Sequence, residues 1–528
     1  MNALVLTVAF GVLFALSFPF RADDFRFDVG AVAGWLAFAP LALLLRGQPP
    51  RAAFRRAFFA AWLGYAGVIW WLYIVITIYG RAAPYAGVAG ALGVAAYCAL
   101  CGAVAAALAA WLAPHAGRAA PLLFPAAWIL AERSRALVSV AGFPWAFLGY
   151  SVHADAPMRG LASLCGVYGL SFALALAGTL LAERRFVAAL ALAAGLHAVG
   201  WLALPGPLAQ PEGAKPLRVA MVQGDVPEDE KWDPALMDRH FESQVALTHE
   251  ALAQHPDLVT WPESGFPGVI LAPEQDRVFT GLADWQERYR DPLLGLVRES
   301  GVPLVLGAVG VTQVAGRRVP DIANSVFVLA PGPDGPAIAD RYDKTVLVPF
   351  GEYVPLRALF GSLQAVATGL ADLSDLTPGP GPRTLRGLGS LGADHALAGL
   401  ICYEVVYPSV VRAVARDGAR VLLNLTNDAW YGRSSAPHQF LAIAQLRSAE
   451  HGLPMLRDAN TGVSALIDAS GAIVEETPIF ERRVLVAEVT PPRPSATFYT
   501  RAGDWPLWLG AAWLLAVGGR AVVGRGRR

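Results

Sequence analysis

The chain has 528 residues, of which 55% are hydrophobic and only 16% are charged. This apolar excess is larger than one soluble core explains, so it indicates a membrane protein. The 42 basic and 42 acidic residues leave a formal net charge of zero, which gives no electrostatic support for a nucleic-acid-binding role. The partners predicted from composition are therefore lipid or protein.

The apolar residues are concentrated at the two ends of the chain. Most of these segments approach the ~20 residues that a membrane-spanning helix needs. The first segment has no basic region before it and no clear cleavage site, so we interpret it as a retained span and not as a signal peptide. We predict an α-helical transmembrane bundle of about eight spans, at 3–20, 28–45, 57–79, 86–112, 119–135, 160–182, 186–204 and 505–519.

The placement of arginines predicts the orientation of these spans, because short cytoplasmic loops collect Lys and Arg. Arginines cluster in the loops after the second, fourth and sixth spans and in the tail after the eighth, namely Arg46, Arg51, Arg55, Arg56, Arg118, Arg184, Arg185, Arg520, Arg525, Arg527 and Arg528. All of these positions fall on one side of the membrane. We therefore expect both termini in the cytoplasm and the region 205–504 outside the cytoplasmic membrane.

The middle region has a different pattern. Apolar, strand-like runs such as LRVAMVQG, PLVLGAVG and RVLLNLTND alternate with helical patterns near 235–254 and 438–451, which indicates an α/β domain. The predicted domains are thus a seven-span bundle at 1–204, an α/β domain at 205–504, and a final helix with a basic tail at 505–528. A segment rich in Gly, Pro and Leu, 357–395, is predicted to be a cover over a site.

Cys402 is the only cysteine of the middle region, and it directly follows the apolar run 397–401. The ends of buried strands are where α/β folds tend to hold catalytic groups. By itself the pattern fits either a packed thiol or a nucleophile. The other cysteines, Cys98, Cys101 and Cys165, lie in predicted spans, and we interpret them as packing residues.

Two further charged residues follow strand-like runs. Glu263 lies in LVTWPESGFP, and Lys344 lies in DRYDKTVLVPFGEYVP, which also contains Glu352. Taken singly, these residues are typical of turns and surfaces. Together with Cys402 they are what thiol acyl transfer requires: a base that deprotonates the thiol, a cation that stabilises the thiolate and the oxyanion, and a nucleophile.

The segments WPES, YDK and ICYE resemble the Glu–Lys–Cys triad of the nitrilase superfamily. With KWD, LVPFGEYVP, LTNDAWYG and GFPW, and with helices on both sides of the domain, nearly the whole chain resembles the apolipoprotein N-acyltransferase family. The resemblance implies an αββα sandwich and a bacterial inner-membrane enzyme with a periplasmic site. It also implies a phospholipid as acyl donor and a diacylglyceryl apolipoprotein as acceptor.

The resemblance further implies a role for each matching residue. Glu263 would be the general base, Lys344 the oxyanion and thiolate stabiliser, and Cys402 the nucleophile that forms a thioester. Glu352 would be a second acid that supports Lys344. The remaining matches would surround the substrates: Tyr403 and Glu404 in the acyl pocket, and Trp232 on a loop over the site. Their alternative interpretations are a packed aromatic residue, a capping acid and a stacked tryptophan.

Other candidates and functions stay open at this point. Asn427 and Asp428 are interpreted as turn residues, with the ordering of a loop beside the site as the alternative, and His438 and His451 have no assigned role. No metal or cofactor is predicted, since no P-loop, dinucleotide fingerprint or zinc-type spacing occurs, and we expect a monomer. The alternative functions are a membrane-tethered, nitrilase-type amidase and a transporter or binding protein without catalysis.

Overall fold

The computed structural model describes residues 2–23, 25–137, 142–204, 215–266, 268–271, 275, 278–313, 320–355, 376–491 and 496–525. Residues 357–375 of the predicted cover at 357–395 lie outside the described residues. Its described remainder contains a short helix, α13 (Gly389–His395), at its end.

The N-terminal part is helical, with one small hairpin. Its helices are α1 (Ala3–Leu16), α2 (Gly30–Leu45), α3 (Pro50–Val68), α4 (Leu72–Ile74), α5 (Pro84–Ala116), α6 (Leu123–Arg135), α7 (Ala156–Ala182) and α8 (Phe186–Ala203). The hairpin strands β1 (Phe20–Ala22) and β2 (Phe25–Phe27) pair antiparallel between α1 and α2. Local sequence sets several of the helix starts. Asn2 and Asp155 cap α1 and α7 through their side chains, and proline opens α3, α5 and α7.

Several of these helices can cross a membrane by length and composition. Within the described residues, three helical stretches qualify, at Pro84–Arg135, Ala156–Ala182 and Phe186–Ala203. A fourth arises if Pro50–Val68 and Leu72–Tyr79, which meet at a bend of 68°, form one broken span. Helices α1 and α2 are apolar but have only 14 and 16 residues. The prediction of membrane-spanning helices is therefore supported, and the count of eight stays a prediction.

In its described residues, the middle of the chain forms two β-sheets. The larger sheet has seven strands: β3 (Leu217–Gln223), β4 (Leu258–Trp261), β5 (Val269–Ile270), β6 (Leu304–Thr312), β7 (Asp321–Ala330), β8 (Ala337–Asp343) and β14 (Arg483–Val489). The smaller sheet has five: β9 (Leu397–Ile401), β10 (Val421–Thr426), β11 (Met455–Ala459), β12 (Ala465–Ile467) and β13 (Ile473–Glu476). Strand order is β14-β3-β4-β6-β7-β8, with β5 beside β6, and β13-β12-β11-β10-β9. Strands β3, β4 and β6 of the larger sheet run parallel to one another, as do strands β9, β10 and β11 of the smaller sheet.

The two sheets face each other and carry helices on their outer faces. The hydroxyl of Thr260 in β4 donates a 2.6 Å hydrogen bond to Asp458 in β11 across the interface. The described helices of this domain are α9 (Glu228–Lys231), α10 (Met237–Leu252), α11 (Ala283–Trp285), α12 (Asp291–Ser300), α13, α14 (Pro408–Arg416), α15 (Ala436–His451) and α16 (Phe498–Ala502). Helix α10 packs on β3, β4 and β14, whereas α14 packs on β9. This is the αββα sandwich that the family resemblance implies.

The sandwich and the helical bundle share one core. A single buried apolar cluster includes Phe14 and Trp128 of the bundle together with Val411 and Leu423 of the sandwich. Helix α15, which is buried on all sides, lies at this junction. The final helix α17 (Trp505–Arg525) returns to pack on α5, α6 and α7. The catalytic domain therefore sits directly on the apolar helices.

A break in helix α7 adds a polar link at the same junction. Gly166 adopts φ 62° within the helix, where a side chain would collide with the ring of Tyr499. The backbone N–H of Val167, freed by the break, donates a 2.7 Å hydrogen bond to the buried carboxylate of Glu450 in α15. The sandwich thus satisfies a backbone group that the interrupted helix leaves unpaired.

Candidate active site

Three strand ends bring the predicted reactive residues together. Glu263 follows β4 by two residues, Lys344 directly follows β8, and Cys402 directly follows β9. Strands β4 and β8 belong to the larger sheet and β9 to the smaller one. The ends of these three strands lie close together where the two sheets face each other. This is the grouping that the strand-end pattern of the sequence predicts.

Cys402 occupies a strained backbone position. Its φ is +47°, which is uncommon for a residue with a side chain, and a 3-10 turn over Cys402–Val406 begins there. The carboxylate of Glu404 accepts a 2.7 Å hydrogen bond from the N–H of Ile401 and so supports the sharp turn out of β9. The residue is 6% exposed, so the thiol is held in a water-poor setting.

The turn that carries Glu263 is also unusual. Ser264, the next residue, has φ +47°. Gly307 of β6 lets this turn approach closely, because a Cβ at that position would lie 2.5 Å from the carbonyl oxygen of Pro262 and 2.7 Å from the Cα of Glu263. The N–H of Phe266 donates a 3.1 Å hydrogen bond to the carbonyl of Gly307 and fixes the turn on the sheet.

Lys344 lies between two carboxylates. Its Nζ atom donates to Oε1 of Glu263 at 3.1 Å and to Oε1 of Glu352 at 2.9 Å. The lysine is 1% exposed, and Glu352 also accepts a 2.8 Å hydrogen bond from the N–H of Val348. Glu352 therefore contacts Lys344, as the resemblance implies, and the ammonium group is held in one position from two sides.

Asn324 is a member of the site that sequence reasoning missed. It lies in β7, and its side-chain amide donates to Glu263 at 2.7 Å and to Glu352 at 2.9 Å. Its backbone carbonyl accepts a 2.8 Å hydrogen bond from the N–H of Lys344. The only signal for it in the sequence is an amide side chain beside Ser325 at the start of the apolar run of β7.

Asn427, interpreted from sequence as a turn residue, also reaches the site. Its backbone N–H donates a 2.9 Å hydrogen bond to Oε2 of Glu263, and its side chain donates a 2.6 Å bond to the buried carboxylate of Glu228. The neighbouring Asp428 forms a buried 2.8 Å ion pair with Arg457, which is a structural role. Both oxygens of Glu263 are therefore hydrogen-bonded.

The surroundings set the resting charges of the three reactive groups. Burial favours a neutral Glu263, but Lys344 and hydrogen bonds from Cys402 and Asn324 outweigh it and hold the pKa of this carboxyl below its usual value. Burial also opposes a charged Lys344, yet Glu263 and Glu352 raise its pKa well above the usual value. Burial and then Glu263 raise the pKa of the Cys402 thiol. At rest the site holds a carboxylate, an ammonium and a protonated thiol.

Glu404 links the two strand ends that carry Lys344 and Cys402. Its fully buried carboxylate accepts hydrogen bonds from the hydroxyl of Tyr342 at 3.0 Å and from the N–H and hydroxyl of Thr345 at 2.6 and 2.7 Å. Burial, although opposed by these hydrogen bonds, raises its pKa. The side chain therefore fixes the geometry between β8 and β9.

Tyr403 and Trp232 contact different parts of the protein. The hydroxyl of Tyr403 donates a 3.1 Å hydrogen bond to the carbonyl of Gly142, in the loop between α6 and α7. Trp232 directly follows α9, is 48% exposed, and donates from its indole to Glu228 at 3.2 Å. Tyr403 thus faces the helical bundle, whereas Trp232 is connected to Glu263 through Glu228 and Asn427.

A second buried lysine lies beside the site. Lys231 is 1% exposed, and its Nζ atom donates a 3.3 Å hydrogen bond to the backbone carbonyl of Glu263. Burial lowers its pKa, against the attraction of Glu228, Glu263 and Cys402. The segment KWD marks its neighbourhood in the sequence, but only the fold shows that Lys231 turns inward.

The two histidines without a predicted role are occupied elsewhere. His438 shares a 3.1 Å hydrogen bond with Arg21 of the hairpin, and burial lowers its pKa to about 4. His451 shares a 2.8 Å hydrogen bond with Thr500, and burial lowers its pKa to about 3. In the described part of the chain, no three His, Cys, Asp or Glu side chains are grouped so that they could hold a metal ion.

Comparisons with known proteins define the class of this fold and site. The family model of carbon-nitrogen hydrolases matches residues 218–497, and that of the apolipoprotein N-acyltransferase N-terminal domain matches residues 10–180. Among solved structures, a carbon-nitrogen hydrolase from Helicobacter pylori aligns with a TM-score of 0.37 at 17% identity, covering 56% of this chain and 94% of that one. The family match over residues 218–497 identifies the middle region as a nitrilase-type, carbon-nitrogen hydrolase domain.

Relatives over the full length define the particular family. The apolipoprotein N-acyltransferase of Geobacter metallireducens is 36% identical over 98% of this chain and 94% of its own length. That of Pseudomonas putida is 35% identical, over 97% of this chain and 95% of its own length. The chain belongs to the apolipoprotein N-acyltransferase family and is an N-acyltransferase.

Proposed function

We propose that this enzyme moves a fatty acyl chain from a membrane phospholipid to the free α-amine of the S-diacylglyceryl-cysteine that begins an apolipoprotein, with Cys402 as the carrier. The observation that carries the proposal is the buried thiol of Cys402 next to the paired Glu263 and Lys344, in a domain seated on apolar helices. A thioester is the natural carrier because its conversion to an amide is downhill.

The first step would form the acyl-enzyme. Glu263 takes the proton of the Cys402 thiol as the sulfur attacks the ester carbonyl of the phospholipid, and the ammonium of Lys344 meets the negative charge on the tetrahedral oxygen. The carbon–oxygen bond then breaks, and Glu263 returns the proton to the departing oxygen. The products are a lysophospholipid and a thioester on Cys402.

The second step would release the acyl chain. The neutral α-amine of the acceptor attacks the thioester carbonyl, Glu263 takes a proton from the nitrogen, and Lys344 again faces the tetrahedral oxygen. The carbon–sulfur bond breaks, and Glu263 delivers the proton to the sulfur. The product is an amide, and the starting enzyme is restored without a further co-reactant.

Glu352, Asn324 and Asn427 would act through the reactive groups. Glu352 and Asn324 hold Lys344 and Glu263 at fixed positions, and the N–H of Asn427 keeps the second oxygen of Glu263 occupied. With both oxygens bound, the carboxylate cannot rotate freely, so the proton is exchanged at one place in both steps. Tyr403 would border the acyl chain on the bundle side, and Trp232 the opposite edge.

The membrane arrangement would bring both substrates to the site. We propose eight spans in a bacterial inner membrane, a periplasmic domain at 205–504 between a bundle at 1–204 and a final helix with its tail at 505–528, and cytoplasmic termini. The arginine placement supports this orientation. Acyl chains anchored in the bilayer then approach the catalytic domain through the apolar junction, and a cover at 357–395 would keep water from the thioester. A monomer suffices for this reaction.

The experiment that tests the function separates it from an amidase of the nitrilase type. Purified enzyme in phospholipid micelles is given a synthetic peptide whose N-terminal cysteine carries a diacylglyceryl group. We expect the N-acylated peptide and one lysophospholipid for each amide formed. Release of free fatty acid without N-acylated peptide would favour water as the acceptor, and turnover of neither substrate would favour a role without catalysis.

A further inference from the structure

Lys231 carries a buried ammonium group that the proposed reaction does not use. It ends helix α9, is 1% exposed, and donates from its Nζ atom to the backbone carbonyl of Glu263 at 3.3 Å. Lys344, by comparison, forms ion pairs of 3.1 and 2.9 Å with two carboxylates. Among the residues that the structure describes, no carboxylate forms an ion pair with Lys231. A buried charge without such a partner costs free energy, so a neutral side chain would serve better if packing were its only role.

Helix α9 reaches Glu263 by two routes. Glu228 and Lys231 begin and end this four-residue helix, so they lie about one turn apart on the same side of it. Lys231 contacts the main chain of Glu263 directly. Glu228 reaches the side chain through Asn427, which donates from its amide to Glu228 at 2.6 Å and from its backbone N–H to Oε2 of Glu263 at 2.9 Å. One short helix is therefore connected to both the backbone and the carboxylate of the proposed base.

The loop before α9 is itself fixed to the smaller sheet. The side chain of Asn460, which directly follows β11, accepts a 3.0 Å hydrogen bond from the N–H of Val226 and donates a 2.8 Å bond to the carbonyl of the same residue. Its amide also donates to the side-chain oxygen of Asn427 at 3.1 Å. One side chain thus holds both the start of α9 and the residue that links α9 to Glu263, which fixes Lys231 relative to the base.

The carbonyl that Lys231 contacts belongs to a strained peptide. It joins Glu263 to Ser264, whose φ of +47° is uncommon outside glycine and persists only where the surroundings hold it. Gly307 leaves room for this peptide on the larger sheet, and Lys231 donates to it from α9. Holding the carbonyl also limits the movement of the Cα atom that bears the carboxylate. Lys231 therefore helps to keep the base in one place.

The charge of Lys231 acts on the base as well. Its attraction to Glu228, Glu263 and Cys402 opposes the burial that lowers its pKa, and the same attraction favours the ionised form of Glu263. The titratable groups around Glu263 come from every element that surrounds it: Lys231 and Glu228 on α9, Lys344 after β8, Glu352 in the turn that follows, Cys402 after β9, and Asp428 and Tyr431 after β10. The two lysines are the cations of this set.

We infer that Lys231 is a positioning residue for the general base: it holds the backbone of Glu263 and places a second positive charge beside it, so that the carboxylate stays ionised and in place to accept the thiol proton. The inference rests on the proposed function, because it assigns a further residue to the same site. Lys344 divides its charge between two carboxylates and also faces the oxyanion. Within the described residues, the one hydrogen bond of the Lys231 ammonium goes to the base.

The test compares Lys231→Met with Arg159→Met. Both substitutions remove a buried cation that donates to backbone carbonyl oxygen. Arg159 lies in helix α7, is 7% exposed, and donates to the carbonyls of Ser470 at 2.9 Å and His153 at 2.8 Å, away from the site. For each variant, as the full chain in phospholipid micelles, the rate of lysophospholipid release in a single turnover is measured across a range of pH.

For Lys231→Met we expect the highest rate to fall about tenfold or more, since small displacements of a reacting group cost this much. The acidic limb of the pH–rate profile should also move to higher pH, because the base is active when ionised and the loss of a neighbouring positive charge makes it ionise at higher pH. Arg159→Met, and Lys231→Arg with its retained charge, should keep the wild-type position of this limb. A lower rate with an unmoved limb in Lys231→Met would indicate packing alone, and that result or an unchanged profile would overturn the inference.

A second substitution keeps the test open if Lys231→Met does not fold. Lys231→Gln is neutral but keeps an N–H₂ group in place of the ammonium, so the acidic limb should move in the same direction with a smaller loss of rate. A limb at the wild-type position in Lys231→Gln would count against the inference. Failure of the proposed function would show differently, as a wild-type enzyme that releases no lysophospholipid at any pH.

Discussion

The Nζ atom of Lys344 lies 3.1 Å from Oε1 of Glu263, with both side chains buried. A buried charge is stable only when it is paired and hydrogen-bonded, so these two residues depend on each other for their ionised forms. In the proposed mechanism Glu263 is the base and Lys344 is the partner of the oxyanion. The removal of either one therefore has two consequences, because it also leaves the other charge with fewer partners.

We expect Glu263→Gln and Lys344→Met each to slow the formation of the Cys402 thioester by roughly 10²-fold or more. Thiol activation and oxyanion stabilisation both precede the release of the lysophospholipid, so the block falls on the first step. The measurement is the rate of lysophospholipid release in a single turnover. The control variants are Lys215→Met and Glu488→Gln, which change exposed residues. A normal first step in either site variant would assign that residue to the second step only.

Asn324→Leu should shift the pH dependence of thioester formation. Asn324 helps to hold the pKa of Glu263 below its usual value, so its removal raises that pKa. The base is active only when it is ionised, and activity is lost as the pH falls through its pKa. The acidic limb of the pH–rate profile should therefore move to higher pH. A profile that loses height but keeps the position of its acidic limb would show that Asn324 does not act through the ionisation of Glu263.

Glu404→Gln should destabilise the fold. The carboxylate accepts from Tyr342, Thr345 and Ile401, and an amide would turn an N–H₂ group towards at least one of these donors. An unsatisfied buried polar group costs about 1–3 kcal/mol, so the melting temperature in detergent should fall. Glu475→Gln, at an exposed position of β13, serves as the comparison. If the melting temperature holds while acylation is lost, Glu404 would have a direct role in catalysis.

The strands that carry the reactive residues could largely be predicted from sequence, because an apolar run indicates where a buried strand begins and ends. The apolar runs before Glu263 and Cys402 each become a buried strand that stops at the expected place, and the more polar, strand-like run before Lys344 becomes β8. Strand β11 was not predicted, since its sequence MLRDA contains Arg457 and Asp458 in fully buried positions. Arg457 is tolerated there because it pairs with Asp428, whereas burial raises the pKa of Asp458 well above its usual value and its carboxyl accepts a hydrogen bond from Thr260. No local sequence pattern reveals these contacts.

The predicted spans also differ from the helices at several ends. The segment 3–20 is helical only to Leu16, because Pro19 follows and a hairpin begins at Phe20. The segment 57–79 belongs to a helix that begins at Pro50 and bends by 68° after Val68. Hydropathy measures how apolar a segment is and does not detect a bend within it. Gln439 of helix α15 donates a hydrogen bond to the carbonyl of Pro19, where α1 has ended, although the two residues are 420 positions apart in sequence. A local sequence pattern does not reveal such a contact.

The proposed orientation predicts which side of the membrane exposes the thiol. A membrane-impermeant thiol reagent applied to intact spheroplasts should label Cys402, directly or after neutral hydroxylamine has removed an acyl chain. Cys402→Ala in the same cells corrects for labelling of the other three cysteines. If Cys402 reacts only after the membrane is broken, with or without hydroxylamine, the catalytic domain would lie in the cytoplasm and the proposed orientation would be wrong.

The central claim is that Cys402 carries the acyl chain, and intact mass spectrometry of the protein incubated with phospholipid tests it most directly. We predict a mass increase of one fatty acyl group on the wild-type chain, its loss on treatment with neutral hydroxylamine, and its absence from Cys402→Ala. The variants Cys98→Ala, Cys101→Ala and Cys165→Ala should all keep the adduct. The same adduct on Cys402→Ala, or N-acylated peptide made by that variant, would contradict the account.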